Sequence, residues 1–353
     1  MKAKHLENLR VLCEGMRGHN YELPDCITYV FERMGRTDLG FWDIAAITGD
    51  TVAHVYNTGY TTYCGYCTSG FLGGEQYIRS VFDMLGYSID YAPYEQMISK
   101  KAEYMEKIVR FIDHGIPVIV KTGLLEFFPK RWEPKNNYDV LTYCLIVGYE
   151  INGDEISLEL LTADSTELTC TLGDGKQMDL IIVEEKVQEL TLKDILLTAI
   201  KNTPKWLTYQ NYGSMYFGTH ALNAWAEDIR HGKFAKEHTD FDWWGNWGVY
   251  VCNIATSGGQ IATQLHKVSL LDDQYSFLTD VALQVDQLYP TEDSFGAGKC
   301  RLWGELEALG LGMDMRSVKE NITNPKIREK AACILEDYAN RFKKVAEIME
   351  GII

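Results

Sequence analysis

The chain has 353 residues, 46% hydrophobic and 24% charged, a balance that suits a globular protein of about two domains. A formal net charge of −16 weighs against nucleic acid or an anionic membrane surface as partner. Nine cysteines, odd in number and irregularly spaced, do not read as a secreted disulfide framework. The opening Met1-Lys2-Ala3-Lys4-His5-Leu6-Glu7 lacks the apolar run of a signal peptide, and no stretch has the length of a membrane span. A cytoplasmic protein with reduced thiols is therefore expected.

In chain order, residues 5–16 read as a short amphipathic helix. A second helix follows His19-Asn20-Tyr21-Glu22-Leu23-Pro24-Asp25-Cys26, with Ile27, Val30, Phe31 and Met34 at helical spacing and Gly35 as the stop. Asp25 is a good N-cap, which would put Cys26 in the first turn, where unpaired N–H groups and the helix dipole favour a thiolate. The plainer reading is one more buried thiol. The stretch from Arg36 to Gly74 is rich in turn residues. Helices are expected at 74–86 and 95–114, and Pro117–Lys121 reads as the first clear strand. Residues 123–137, with Phe127, Phe128 and Trp132, suggest an aromatic loop or lid. Strands at about 141–149, 156–162 and 178–183 complete an α+β domain over 1–190, its helices first and its antiparallel sheet second. Residues 191–353 read as an all-α domain, with helices at 191–202, 217–230, 244–268, 274–289, 296–309 and 325–350.

The remaining chemical candidates are weaker. Cys64 and Cys67 form a C-x-x-C, but no second pair stands at zinc-ribbon spacing. The eight histidines are dispersed, and neither a metal-binding spacing nor a phosphate-cradling glycine motif is present, so no metal or other cofactor is expected. His220 reads as a packed or hydrogen-bonded residue of the helical domain. The tryptophans between Trp243 and His266, and the stripe Ala331, Leu335, Tyr338, Phe342, Val345 and Met349, read as helix packing.

Three segments together resemble a known family. Asp25-Cys26-Ile27-Thr28-Tyr29-Val30 with Arg33-Met34-Gly35 looks like the N-terminal domain of the butirosin biosynthesis protein H family, whose layout is papain-like. Tyr143-Cys144-Leu145-Ile146-Val147-Gly148-Tyr149-Glu150 is similar to a sheet strand of that family and of bacteriocin-processing cysteine peptidases. Phe217-Gly218-Thr219-His220-Ala221-Leu222-Asn223-Ala224-Trp225-Ala226-Glu227-Asp228 is similar to the helical C-terminal domain of clostridial relatives. The resemblance implies Cys26 as nucleophile, Asn20 as oxyanion donor and Asp164 as the orienting carboxylate. The position of the general-base histidine holds Thr142, a departure that turns the implied chemistry from peptide hydrolysis toward acyl transfer, where a thiol leaving group needs less acid help.

The implied function is acyl or aminoacyl transfer from a thioester to an amine through Cys26, within secondary metabolism. His19 or His54 is the candidate substitute base. The implied partners are a small-molecule or peptide substrate and an acyl carrier protein, and homodimerisation is left open. The alternative is a catalytically inactive papain-like protein that binds a small molecule or peptide beneath the aromatic segment 127–132. A third reading makes the acidic helical domain an interaction module.

Overall fold

In the computed structural model, the described residues are 2–10, 22–52, 54–57, 69, 72–123, 141–153, 155–162, 167–172, 178–209, 215–233, 247, 260–290 and 301–352. The chain is a mixed α/β protein with an antiparallel sheet and a helical C-terminal region. It divides into two compact units, Met1–Ile44 with Leu72–Leu190, and Ala45–Phe71 with Thr191–Ile353. Residues 45–71, read from the sequence as part of the first domain, therefore belong with the second unit. Among the described residues no helix is long and apolar enough to cross a membrane.

The first unit is built on a seven-stranded sheet. Its strands are β1 (Lys2–His5), β3 (Tyr87–Ala92), β4 (Val118–Gly123), β5 (Leu141–Asn152), β6 (Glu155–Leu161), β7 (Glu167–Thr171) and β8 (Met178–Lys186); β2 (Val55–Asn57) belongs to the second unit. They run in the order β3-β8-β4-β5-β6-β7, with β1 paired to the far half of β5, and every pairing is antiparallel. The helix expected from residue 5 is not formed over the described residues 5–10: His5 ends β1 and residues 6–10 are irregular. Strand β3 is not among those expected, although Tyr87-Ser88-Ile89-Asp90-Tyr91 alternates at strand period directly after Gly86.

Four helices belong to this unit: α1 (Glu22–Arg33), α3 (Glu75–Leu85), α4 (Tyr94–Ser99) and α5 (Lys101–Asp113); α2 (Phe41–Ile47) runs across the division. The helix expected at 95–114 is thus two helices, divided at Lys100.

Contacts distinguish the two faces of the sheet. On one face lies α5, where Lys107 and Tyr104 reach Asp90 at 2.6 and 3.4 Å and the Tyr149 hydroxyl donates to Asp113 at 2.7 Å. On the other lies α1, packed on β4 and β5, with its Phe31 ring 4.5 Å from that of Tyr87. Tyr87 and Tyr91 share this face because side chains alternate along a strand, which sends Asp90 to the α5 face.

The second unit is helical around α12 (Pro325–Glu350), against which α6 (Leu192–Leu207), α7 (Gly218–Arg230), α9 (Leu278–Leu288) and α10 (Arg301–Glu307) pack. A short antiparallel pair, β2 (Val55–Asn57) with β9 (Met215–Phe217), lies beside α7. Further helices are α8 (Gln260–Leu271), against α9, and α11 (Met315–Asn321). Asn324 caps α12 and Pro325 opens it, so its start follows from local sequence alone. The expected stripe is its core face: Ala331, Leu335, Tyr338, Phe342, Val345 and Met349 are all buried.

Two of the carboxylates held below their ordinary range in this unit are expected to give its stability an acid limb. The hydroxyl and backbone N–H of Thr191 hold the Asp194 carboxyl below the ordinary 3.8, in a capping box at the start of α6. Arg230 of α7 clips Glu336 of α12 through two hydrogen bonds of 2.7 and 2.8 Å and holds it below 4.5. With the folded value below the unfolded one, each contribution is complete above the unfolded value and lost as pH falls through the folded one. The thermal midpoint is therefore expected to drop below about pH 4.5, and Asp194→Asn and Glu336→Gln should each flatten that drop. Parallel curves for wild type and both variants would show that these carboxylates do not set the limb.

Candidate functional site

Cys26 is the candidate nucleophile, and α1 positions it. Asp25 does not cap this helix. The helix is already under way at Glu22, so Asp25 lies within the first turn and Cys26 begins the second. Pro24 is tolerated because first-turn residues have no intrahelical acceptor for an N–H, and its carbonyl accepts from the Thr28 hydroxyl at 2.8 Å. The whole span Leu23–Phe31 is buried, and Cys26 is 0% exposed. In the second turn, Cys26 stands beyond the free N–H groups that favour a thiolate at a helix start.

Two carboxylates and one guanidinium meet beside this helix turn. Asp25 is 1% exposed, and Arg10 approaches its Oδ1 through both terminal nitrogens at 3.4 Å. Arg10 also bonds Glu32 at 2.9 Å and lies over the buried Tyr29 ring, 4.7 Å from its centroid. A carboxylate beside a thiol opposes its ionisation, and the guanidinium offsets that field. Arg10 thus ties the chain after β1 to the Cys26 helix, a role that no motif in the sequence announced.

The other expected site residues are placed only in part. Asn20, Asp164 and His19 lie outside the described residues, as do the Cys64/Cys67 pair and the aromatic segment 127–132. Position 142 is in β5 opposite Thr122, while its neighbour Tyr143 pairs with Lys121. Lys121 in turn pairs with Asp179 of β8, and Asp179 accepts from the Tyr91 hydroxyl at 2.7 Å. Since Tyr91 is on the α1 face, Tyr143, Lys121 and Asp179 are there too. At this register, Tyr143 supplies the α1 side of β5.

The described histidines are committed elsewhere. His54 belongs to the second unit, where its Nε2 meets the Tyr289 hydroxyl at 2.9 Å and its ring packs 5.0 Å from Phe342. His114 follows α5 on the far face of the sheet, bonds the Arg110 carbonyl at 2.6 Å and lines a concavity of about 530 Å³ with Arg110, Phe111, Ile116, Glu184 and Glu185. His5 hydrogen-bonds Glu159 across Gly148. A Cβ at Gly148 would strike the Glu159 carboxylate, so glycine is what lets the two side chains meet. This imidazole–carboxylate pair lies on the face opposite α5. It is nevertheless exposed, whereas Cys26 is fully enclosed. His220, His231 and His266 all fall in the second unit.

Among the described residues no group of three metal-ligating side chains occurs. No protein-family model matches the chain, and no curated protein matches its sequence.

Proposed function

We propose that the first unit is a papain-like thiol domain whose Cys26 transfers an acyl or aminoacyl group from a thioester to an amine. The supporting observation is the enclosed thiol in the N-terminal half of a helix laid on an antiparallel sheet. The Cys26 sulfur would attack the thioester carbonyl, expelling the donor thiol and leaving an acyl-cysteine. The amine would then attack that carbonyl and expel the Cys26 thiolate, its proton passing to the departing sulfur or to solvent. A thiol closed from water suits transfer better than hydrolysis, because water would destroy the acyl-enzyme. The family likeness, the substrate classes, a carrier-protein donor and the roles of Asn20 and Asp164 are parts of this proposal.

One observation favours the second reading, a papain-like protein that binds a small molecule or peptide without catalysis. In the first unit the described histidines are exposed and bonded elsewhere, so neither His5 nor His114 shares the enclosed environment of Cys26.

Incubation with an acyl-N-acetylcysteamine thioester, followed by intact-mass and peptide analysis, separates the two. Acyl transfer predicts one acyl adduct on Cys26 that forms at neutral pH, disappears on adding a primary amine and is absent in Cys26→Ala. Absence of any adduct at Cys26, with the helical content unchanged, would reject transfer through this residue. Alkylation by iodoacetamide across pH adds an independent readout. An activated Cys26 reacts well below the ordinary thiol value of about 8.5, where the other cysteines do not.

A further inference from the structure

The α1 face of the sheet carries a second chemical group besides Cys26. Lys121 stands in β4, an interior strand, with Tyr143 directly opposite on one side and Asp179 on the other. Its ammonium donates to the Gly73 carbonyl at 2.7 Å and lies 5.9 Å from the centroid of the Tyr143 ring. Among the described residues it forms no ion pair, although lysines in proteins are almost always solvated or paired. Asp179 accepts the Tyr91 hydroxyl at 2.7 Å on one oxygen and the Tyr94 N–H at 3.0 Å on the other, both from neutral donors. Burial pushes the Lys121 ammonium below its ordinary value, against the smaller opposing field of Asp179. Lys121 is half-buried, and one carbonyl and one ring are poor replacements for the hydration shell an ammonium otherwise keeps.

We propose that Lys121 is a nucleophilic amine site that takes a small, uncharged carbonyl compound as an imine. The lone pair of Nζ attacks the carbonyl carbon and forms the C–N bond. Two protons leave nitrogen for the carbonyl oxygen, water departs and a C=N bond remains, with nothing oxidised or reduced. An uncharged carbonyl fits better than an anion because Asp179 stands across the strand and the chain carries a net charge of −16. The Tyr143 ring offers a flat apolar wall for the carbon skeleton. This site is independent of the Cys26 reading.

Reductive trapping tests it on the full chain. Propanal and cyanoborohydride at pH 7, with peptide mapping over time, would report every lysine against exposed controls such as Lys100 and Lys205. Lys121 is expected to be labelled about tenfold faster than those controls for each unit by which its pKa falls. Labelling at or below the control rate would overturn the proposal, since a lysine that merely ties β4 to Gly73 is protonated and shielded. Lys121→Arg should abolish that fast-labelled site while leaving the control rates unchanged. Cys26→Ala leaves the probed amine in place, so failure of either reading is seen without the other.

Discussion

Gly218→Val is expected to destabilise the helical unit by about 3–5 kcal/mol and lower its melting temperature by about 10 °C. Gly218 follows β9 and opens α7 with φ +53°, and its N–H donates to the His54 carbonyl at 2.8 Å. A Cβ there would stand 2.1 Å from the Leu207 carbonyl oxygen and 2.6 Å from its carbonyl carbon. Both atoms are backbone at the end of α6, so no rotamer change relieves the clash. The left-handed conformation adds about 1 kcal/mol or more for a side-chain-bearing residue. Gly115→Ala is the control: φ is +82°, yet nothing lies within 4 Å of its Cβ, so about 1 kcal/mol is expected. Similar losses in both variants, read from denaturant unfolding, would mean that the close approach at Leu207 contributes nothing.

Phe342→Ala should cost a similar 3–5 kcal/mol through the cavity it leaves. The ring is 0% exposed on the core face of α12, stacked on Tyr289 at 4.2 Å and edge-on to His54 at 5.0 Å. Tyr289 also meets Tyr338 of α12 edge-to-face at 5.6 Å, and its hydroxyl bonds His54. Truncation would therefore take a packing contact from two rings, Tyr289 and His54, and rigid helices on either side limit collapse into the space. Phe342→Leu should recover most of the loss, because it restores much of the volume without the ring stacking. A cost below about 1 kcal/mol for Phe342→Ala would show that the cluster is not the centre of this core.

The Phe342 stripe is legible in the amino-acid sequence, as is the whole of α12, because its signals are local: Asn324-Pro325 at the start and apolar residues at 3.6 spacing after it. The same holds for α3, α7 and most of β4, β5, β6 and β8, whose residues carry their own periodicity and stops. Local signals mislead where a partner is needed. His5 reads as the start of a helix over residues 5–16, yet it ends the strand Lys2–His5 because the far half of β5 offers that segment an edge. Asp25 has the chemistry of an N-cap, yet the helix begins at or before Glu22, and Arg10 from a distant part of the chain takes up its charge.

The sequence by itself determined a protein of helices and one antiparallel sheet with a helical C-terminal half, together with a cysteine early on an amphipathic helix. Periodicity, caps and breakers act over a few residues, so a chain read in order displays them. Only the tertiary structure decided that residues 45–71 join the helical unit, that Cys26 is enclosed, that His5 meets Glu159 over Gly148, and that Lys121 stands between Tyr143 and Asp179 without an ion pair among the described residues. Each of these depends on strand register and on burial, which join residues as far apart as His5 and Glu159 and leave no local mark on either segment.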